Sequence, residues 1–242
     1  MDLKNRTEDY ITVDLDNKTW GAEKMARENF AEQLNELKTA LLDMGNLAHE
    51  ALDNSITALK EQDLEKALKV IDDDSKINSL EEEINEKAIW LIAKEQPLAT
   101  DLRRLIATLK ITTDIERIGD LAVNIAKSVI RIGDIHLIKP LEGIPKMATI
   151  AQNMIEDVLK AYYEEDILKA KEIADIDDKV DKMYGRRIQE LMEFMTKQPE
   201  FISQITQLAF VCRYLERAAD HTTNISESII YLVKGKVLDL NE

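Results

Sequence analysis

The chain has 242 residues, 45% apolar and 33% charged, with only 7 glycines and 4 prolines. That length can bury a sizeable core, and the composition favours long helices, whose interiors tolerate neither glycine nor proline well. A net charge of −15 with no basic cluster argues against a nucleic-acid ligand, and a single cysteine, Cys212, excludes an intrachain disulfide and a multi-cysteine metal site.

Residues 1–24 stand apart as an N-terminal extension. Its Tyr10, Ile11, Val13, Leu15 and Trp20 read either as a docking arm or as part of a frayed polar tail. Asp2, Glu8, Asp9 and Asp14 leave it without the apolar segment of a signal peptide. Further on, the longest apolar runs, such as Ser226 to Val233, fall well short of the roughly 20 residues that span a bilayer. The expectation is a cytoplasmic protein that meets a membrane only through partners.

From there the pattern is helical, punctuated by Pro97, Pro140, Pro145 and Pro199. Six helices are predicted, over about 25–60, 63–95, 98–133, 142–163, 166–197 and 200–234. Asp63 and Asp166 are expected N-caps, because a short carboxylate accepts from the free N–H groups of a first helical turn. The fold class is therefore all-α: two tandem three-helix bundles, residues 25–137 and 138–242, each running up, down and up.

The two bundles are copies of one unit. An apolar stripe through Ile111, Ile115, Ile118, Ala122, Ile125, Val129 and Ile132 recurs one hundred residues later as Val211, Leu215, Ala218, Thr222, Ile225, Ile229 and Leu232. Earlier segments correspond as well: Met44-Gly45 with Met147-Ala148, Asp63-Leu64-Glu65-Lys66-Ala67 with Asp166-Ile167-Leu168-Lys169-Ala170, and Gln96-Pro97 with Gln198-Pro199.

Within the third and sixth helices the repeat carries an acidic line, Glu116, Asp120, Asn124 and Glu216, Asp220, Asn224. Steps of four keep these residues on one helical face, and at 100° per residue that face lies about 150–230° from the apolar stripe, pointing outward. Carboxylates one turn apart repel unless a cation or a neighbouring arginine lies between them, and oxygen donors suit hard ions such as Mg, Ca, Mn or iron. About nine acid pairs at this spacing are expected by chance among 47 acids, so only the duplication of the motif carries weight. Asp74 with Asn78, and Asp177 with Asp181, lie on the preceding helices and either complete two clusters or are solvated surface acids.

Ile92-Ala-Lys-Glu-Gln-Pro-Leu-Ala-Thr-Asp-Leu-Arg103, the paired Glu-Arg-x-x-Asp segments, Met44-Gly45 and the ending Tyr231-Leu-Val-Lys-Gly-Lys236 together resemble the PhoU family over about residues 28–236. The resemblance implies two pseudo-symmetric three-helix bundles. It also implies a negative regulator of the phosphate-starvation response, linking the ATPase of a phosphate ABC transporter to a PhoR-type sensor histidine kinase, with a homodimer left open. Some members bind multinuclear iron or other metals at (E/D)xxxD motifs, which nominates Glu116, Asp120, Glu216 and Asp220, with Asp74, Asp177 and Asp181 behind them. Multinuclear iron is the first metal implied, with Zn, Mn and Mg as alternatives. Arg217-Ala-Ala-Asp220 departs from Arg117-Ile-Gly-Asp120, Asn78 stands where the second half has Asp181, and Asp101-Leu-Arg-Arg104 has no second-half counterpart.

Two other classes compete. A di-iron carboxylate enzyme needs inward Glu residues and Glu-x-x-His motifs, and none of His49, His136 and His221 has a Glu three residues before it. No Gly-rich phosphate loop or Ser/His/Asp arrangement is apparent, so no catalytic residue is nominated. A metal-free helical adaptor of another signalling or transport system shares the fold and is separated only by metal content. His221, beside Asp220, is the one histidine placed near the acidic line.

Overall fold

The structure, a computed structural model, describes residues 6–134, 137–138, 143–238 and 240, with side chains from residue 27 onward. Its helices are α1 Arg6–Glu61, α2 Leu64–Glu95, α3 Ala99–Ile132, α4 Ile144–Glu164, α5 Ile167–Lys197 and α6 Ile202–Lys234, with a single 3-10 turn at Pro199–Phe201 ahead of α6. No strand occurs among the described residues. Five of the six helices begin and end within two residues of the predicted bounds. The exception is α1, which starts at Arg6 and not near 25; nothing between Arg6 and Glu61 breaks it, since the segment contains no proline and an isolated glycine only weakens a helix. The side chains of Tyr10, Ile11, Val13, Leu15 and Trp20, together with Pro140 and His136, lie outside the described residues.

Both hairpins α1–α2 and α4–α5 use the same two-residue turn. Gln62 and Glu165 adopt left-handed backbone, φ 56° and 54°, and each is followed by its capping aspartate. Asp63 accepts from the Lys66 backbone N–H at 2.9 Å, and Asp166 from those of Leu168 and Lys169 at 2.8 and 3.1 Å. The carboxylates thus satisfy donors that a helix start leaves without partners, and they sit at the positive end of the helix dipole.

The halves join through antiparallel pairs. Along α3 and α6, Arg103 lies against Gly235, the Lys110 ammonium against the Tyr231 ring, and Asp114 against His221. Along α1 and α4, Lys38 donates to the Tyr163 carbonyl at 2.6 Å, Gly45 meets Leu159, and Gln152 donates to Asp53 at 3.0 Å. Helix α2 packs on α1 and α3, and α5 on α4 and α6, with no contact between α2 and α5. The apolar core runs through both halves without a break, from Leu37 and Leu41 to Ile229 and Leu232. Cys212 is part of that core, where burial pushes its thiol up to about 12, so it is inert as a nucleophile or ligand.

This arrangement corrects one expectation. The acidic lines do not point outward. Helices α3 and α6 are each covered by three neighbours, so most of their circumference is buried, and small residues (Gly119, Ala122 and Ala126 on α3, Ala218 and Ala219 on α6) let those neighbours approach. The acids line the seams α2/α3 and α5/α6, Asp120 at the open edge of its seam, and beyond the first turn of α3 the exposed residues are the narrow row Lys110, Thr113, Arg117, Lys127 and Arg131.

Candidate metal centres

In the second half, one oxygen each of Asp181, Glu216 and Asp220 lie within 4.8 Å of one another, Asp181 from α5 and the other two from consecutive turns of α6. Asp177, one turn before Asp181, joins them. Glu216 is only 7% exposed and Asp177 8%, and each carries a buried oxygen, Glu216 Oε2 and Asp177 Oδ1, that has no hydrogen-bond partner. A buried carboxylate oxygen left unpaired is costly, so it calls for a proton or a cation. Burial first, then the neighbouring Asp220, raises Asp177 to about 6 and Glu216 to about 7. Asp220 is raised by burial and then by Asp181, while Arg213, His221 and Arg217 oppose the rise. The one ion pair within this group runs from the Arg213 guanidinium to Glu216 Oε1.

The first half places Asp74 of α2 beside Glu116 and Asp120 of α3, close enough that each of Asp74 and Glu116 is raised by burial and then by Asp120. Glu81 of α2 also acts on Glu116 and on Arg117. Arg117 pairs with Glu116 Oε2 through Nε at 3.3 Å and with Asp120 Oδ2 through a terminal nitrogen at 2.9 Å, yet Glu116 Oε2 is buried and makes no hydrogen bond. Asn78, standing where the second half has Asp181, donates to Asp74 at 3.3 Å.

All seven acids nominated from the sequence therefore fall into two groups, Asp74, Glu116 and Asp120, and Asp177, Asp181, Glu216 and Asp220. Asp177 is buried, which removes the reading of it as a solvated surface acid. Sequence reasoning missed Arg213, whose counterpart is Thr113, and the polar bridge that joins the halves. In that bridge, His221 Nδ1 lies 2.9 Å from Asp114 Oδ1, and Asn224 donates to the same oxygen at 3.3 Å. The repeat gives Tyr214 opposite Asp114 and Leu121 opposite His221, so the bridge is made once and not twice. That paired departure from the repeat was the available signal.

The donor chemistry selects among metals. Both groups offer carboxylate oxygen alone, which suits hard cations such as Mg, Mn and iron. Zinc centres draw on imidazole or thiolate, and here Cys212 is in the core and His221 already faces Asp114. The residues fit a hard divalent ion or an iron cluster and fit zinc poorly.

Fold and site together define a duplicated six-helix protein with one acid-lined seam per half. A family model described as PhoU domain matches residues 41–129 and again 144–229, the same two units as the internal repeat, and the chain belongs to the PhoU family. Its similarity is close to a Clostridium acetobutylicum protein named phosphate-specific transport system accessory protein PhoU homolog, 42% identical over 219 residues, 90% of this chain and 100% of that one. A Rhizobium meliloti protein of the same name is 38% identical over 207 residues, 85% and 87% of the two chains. Among solved structures, the phosphate transport system regulatory protein PhoU from Streptococcus pneumoniae superposes with a TM-score of 0.82 at 32% identity, covering 87% of this chain and 99% of that one. PhoU from Pseudomonas aeruginosa gives 0.83 at 32% identity, with 86% and 100% covered. The family is one of regulatory accessory proteins, not enzymes.

Proposed function

We propose that this chain is the negative regulator of its host's phosphate-starvation response, acting as a cytoplasmic adaptor between the ATPase of a phosphate ABC transporter and a PhoR-type sensor histidine kinase. The observation that carries this is the match of both repeat units to the PhoU domain, within a chain that covers the whole of a relative named as accessory to phosphate-specific transport. The architecture is consistent with such a role. Two similar bundles present two similar faces, and no helix is long and apolar enough to cross a membrane, so contact with membrane proteins would be made by docking.

Metal is part of the same proposal. Asp177, Asp181, Glu216 and Asp220 would hold a hard cation in one seam, and Asp74, Glu116 and Asp120 in the other. A bound ion would supply positive charge where carboxylates crowd, and it is the means by which this acidic protein would tolerate an anion nearby. The unpaired buried oxygens of Glu116, Glu216 and Asp177 favour this reading in both seams. A metal-free adaptor is the second reading, and it is favoured by one observation: Arg117 pairs with both Glu116 and Asp120 and offsets part of their charge.

The test of function is deletion of the gene in its host with an alkaline-phosphatase reporter in phosphate-rich medium. Constitutive expression, reversed by the intact gene, is the expected result. Repression that persists in the deletion strain, with no second copy of the gene present, would sink the proposal. The adaptor role is checked separately by pull-down of the transporter ATPase and of the kinase's cytoplasmic domain.

A further inference from the structure

We infer that the open side of α3 and α6, over residues 117–131 and 207–221, is a docking strip for an acidic segment with apolar anchors on a partner protein. The inference rests on the adaptor reading above and gives it a surface.

Helix α3 is flanked by α2 and α6 and backed by α1, while α6 is flanked by α3 and α5 and backed by α4, so each keeps one open side, opposite α1 and α4. The register of the pair is set by Lys110 against the Tyr231 ring and Asp114 against His221, which brings residues 117–131 of one helix alongside 207–221 of the other. Over these spans the exposed residues are Arg117, Lys127 and Arg131 on α3, and Phe210, Arg213 and Arg217 on α6. The sequence scatters these cations over a hundred residues, and only the antiparallel pairing collects them. Three acids share the spans: Asp120 pairs with Arg117, Glu216 with Arg213, and Asp220 faces Asp181 in its seam. Five cations against three acids leave a formal charge of +2, on a chain that carries −15 overall. Lys127, Arg131 and Arg217 make no ion pair among the described residues; Lys127 acts on Asp74 and Arg217 on Asp220 only at longer range.

The strip also has an apolar centre. Phe210 is 45% exposed and stacks on Tyr214, with ring centroids 6.2 Å apart. Exposed rings beside arginines suit a protein interface, since the rings give contact area and a guanidinium holds a carboxylate.

The pseudo-symmetric mate of this strip, residues 107–121 of α3 with 217–231 of α6, is closed by the chain itself. Lys110, Thr113 and Asp114 stand there in place of Phe210, Arg213 and Tyr214, and Asp114 is held by His221 and Asn224. The C-terminal tail returns to the same stretch: the Leu240 N–H donates to Glu227 at 2.8 Å, and Leu238 and Leu240 are partly buried against the core. Glu227 stands fourteen residues after Arg213, close to four whole turns, and so on the same side of α6. The tail reads Val237-Leu-Asp-Leu-Asn-Glu242, apolar residues interspersed with acids. A segment of that chemistry, supplied by a partner, fits the strip that the chain leaves uncovered.

The width of the strip favours a single segment over a lipid surface. Acid-lined seams flank it on both sides, Asp74, Glu116 and Asp120 along one and Asp177, Asp181, Glu216 and Asp220 along the other. An anionic bilayer would spread over those carboxylates, whereas a narrow chain meets only the cations between them.

The experiment measures binding of the full chain to the purified transporter ATPase and to the kinase's cytoplasmic domain by biolayer interferometry, with circular dichroism as the check on folding. Arg131→Glu, Arg217→Glu and Phe210→Ala should each weaken one of these partners by at least about tenfold. Raising salt from about 0.1 to about 0.5 M should weaken wild type more than the two arginine variants. Lys160→Glu, a charge reversal at an exposed position of α4, should leave binding unchanged. Partner binding that all three variants retain would overturn the strip and leave the adaptor reading standing. Binding of neither protein by wild type would overturn both. Vesicles of phosphatidylglycerol and phosphatidylcholine are run alongside; sedimentation with them that the arginine variants lose, while keeping their protein partners, would overturn the assignment to a protein segment.

Discussion

The two halves share one sequence pattern and one backbone plan, yet they treat the same acids differently. In the first, Arg117 pairs with both Glu116 and Asp120, although Glu116 keeps one buried oxygen without a hydrogen bond; in the second, Arg213 pairs with Glu216 alone, and both Glu216 and Asp177 keep such an oxygen. A duplication starts with identical sites, so each divergence marks a place where the copies ceased to face the same demand. The lengths of the second and third helices of each half, the capping aspartates and the core stripes have stayed matched, as packing requires. The charges along the seams have not, which teaches that the shared fold constrains the core far more tightly than the groups that line the seams.

The comparison is broken most severely through the core. Ile115→Ala and its counterpart Leu215→Ala each remove a side chain that is at most 1% exposed, and each should cost about 2–5 kcal/mol in urea denaturation. Because the core is continuous across α3 and α6, both variants should melt in a single transition. Two resolved transitions would mean that the halves fold as independent units.

A smaller and more selective effect is expected with pH in the metal-free protein. Glu216 and Asp177 are raised in the folded state, to about 7 and about 6, above ordinary values of 4.5 and 3.8. The folded protein therefore binds these protons more tightly than the unfolded chain. Stability should fall as pH rises from about 4 through 7 and return on acidification, by on the order of 1–3 kcal/mol. Asp181, Asp220 and Arg213 face these groups and set the slope with them. Glu216→Gln should flatten the profile, whereas Glu116→Gln should leave most of it. A wild-type profile with no slope in this window, measured in chelator, would contradict the burial argument.

The bridge between halves gives a third test. His221→Leu, which restores the residue found at the matching first-half position, deprives Asp114 of one partner and should cost about 1 kcal/mol, with Asn224 keeping the other hydrogen bond. The smallest effect is expected at Gly119, whose counterpart is Ala219. A Cβ at position 119 would lie 2.9 Å from Ile77 Cδ1, so Gly119→Ala sets a mild overpacking against a gain in helix propensity. The net change should stay within about 1 kcal/mol, read from thermal melts.

Most of the fold was legible in the sequence because helices announce themselves locally. Asp63 and Asp166 mark starts, Pro97 and Pro199 lie at the turns that follow α2 and α5, and the hundred-residue repeat of the apolar stripe gives the architecture. The start of α1 was less legible, since an acidic segment without a core-facing stripe says little about where a helix begins. The grouping of the seven acids into two clusters was also legible, through the repeat. Their orientation was not. A stripe calculation treats a helix as having one buried face, whereas α3 and α6 are buried from three sides, and only the packing reveals that Glu216 ends at 7% exposure. The bridge from Asp114 to His221 and Asn224 was hidden for a different reason: its partners lie more than a hundred residues apart and on different helices.

The antiparallel contact of α3 with α6 has a consequence for how the protein behaves on dilution. Two like bundles that meet across a pseudo-twofold are, in effect, a dimer whose subunits are tied into one chain by the segment between Ile132 and Ile144. The association is intramolecular, at an effective concentration in the millimolar range for a short tether. Its two seams therefore stay paired at any abundance in the cell, and either one is free to change without the other having to follow.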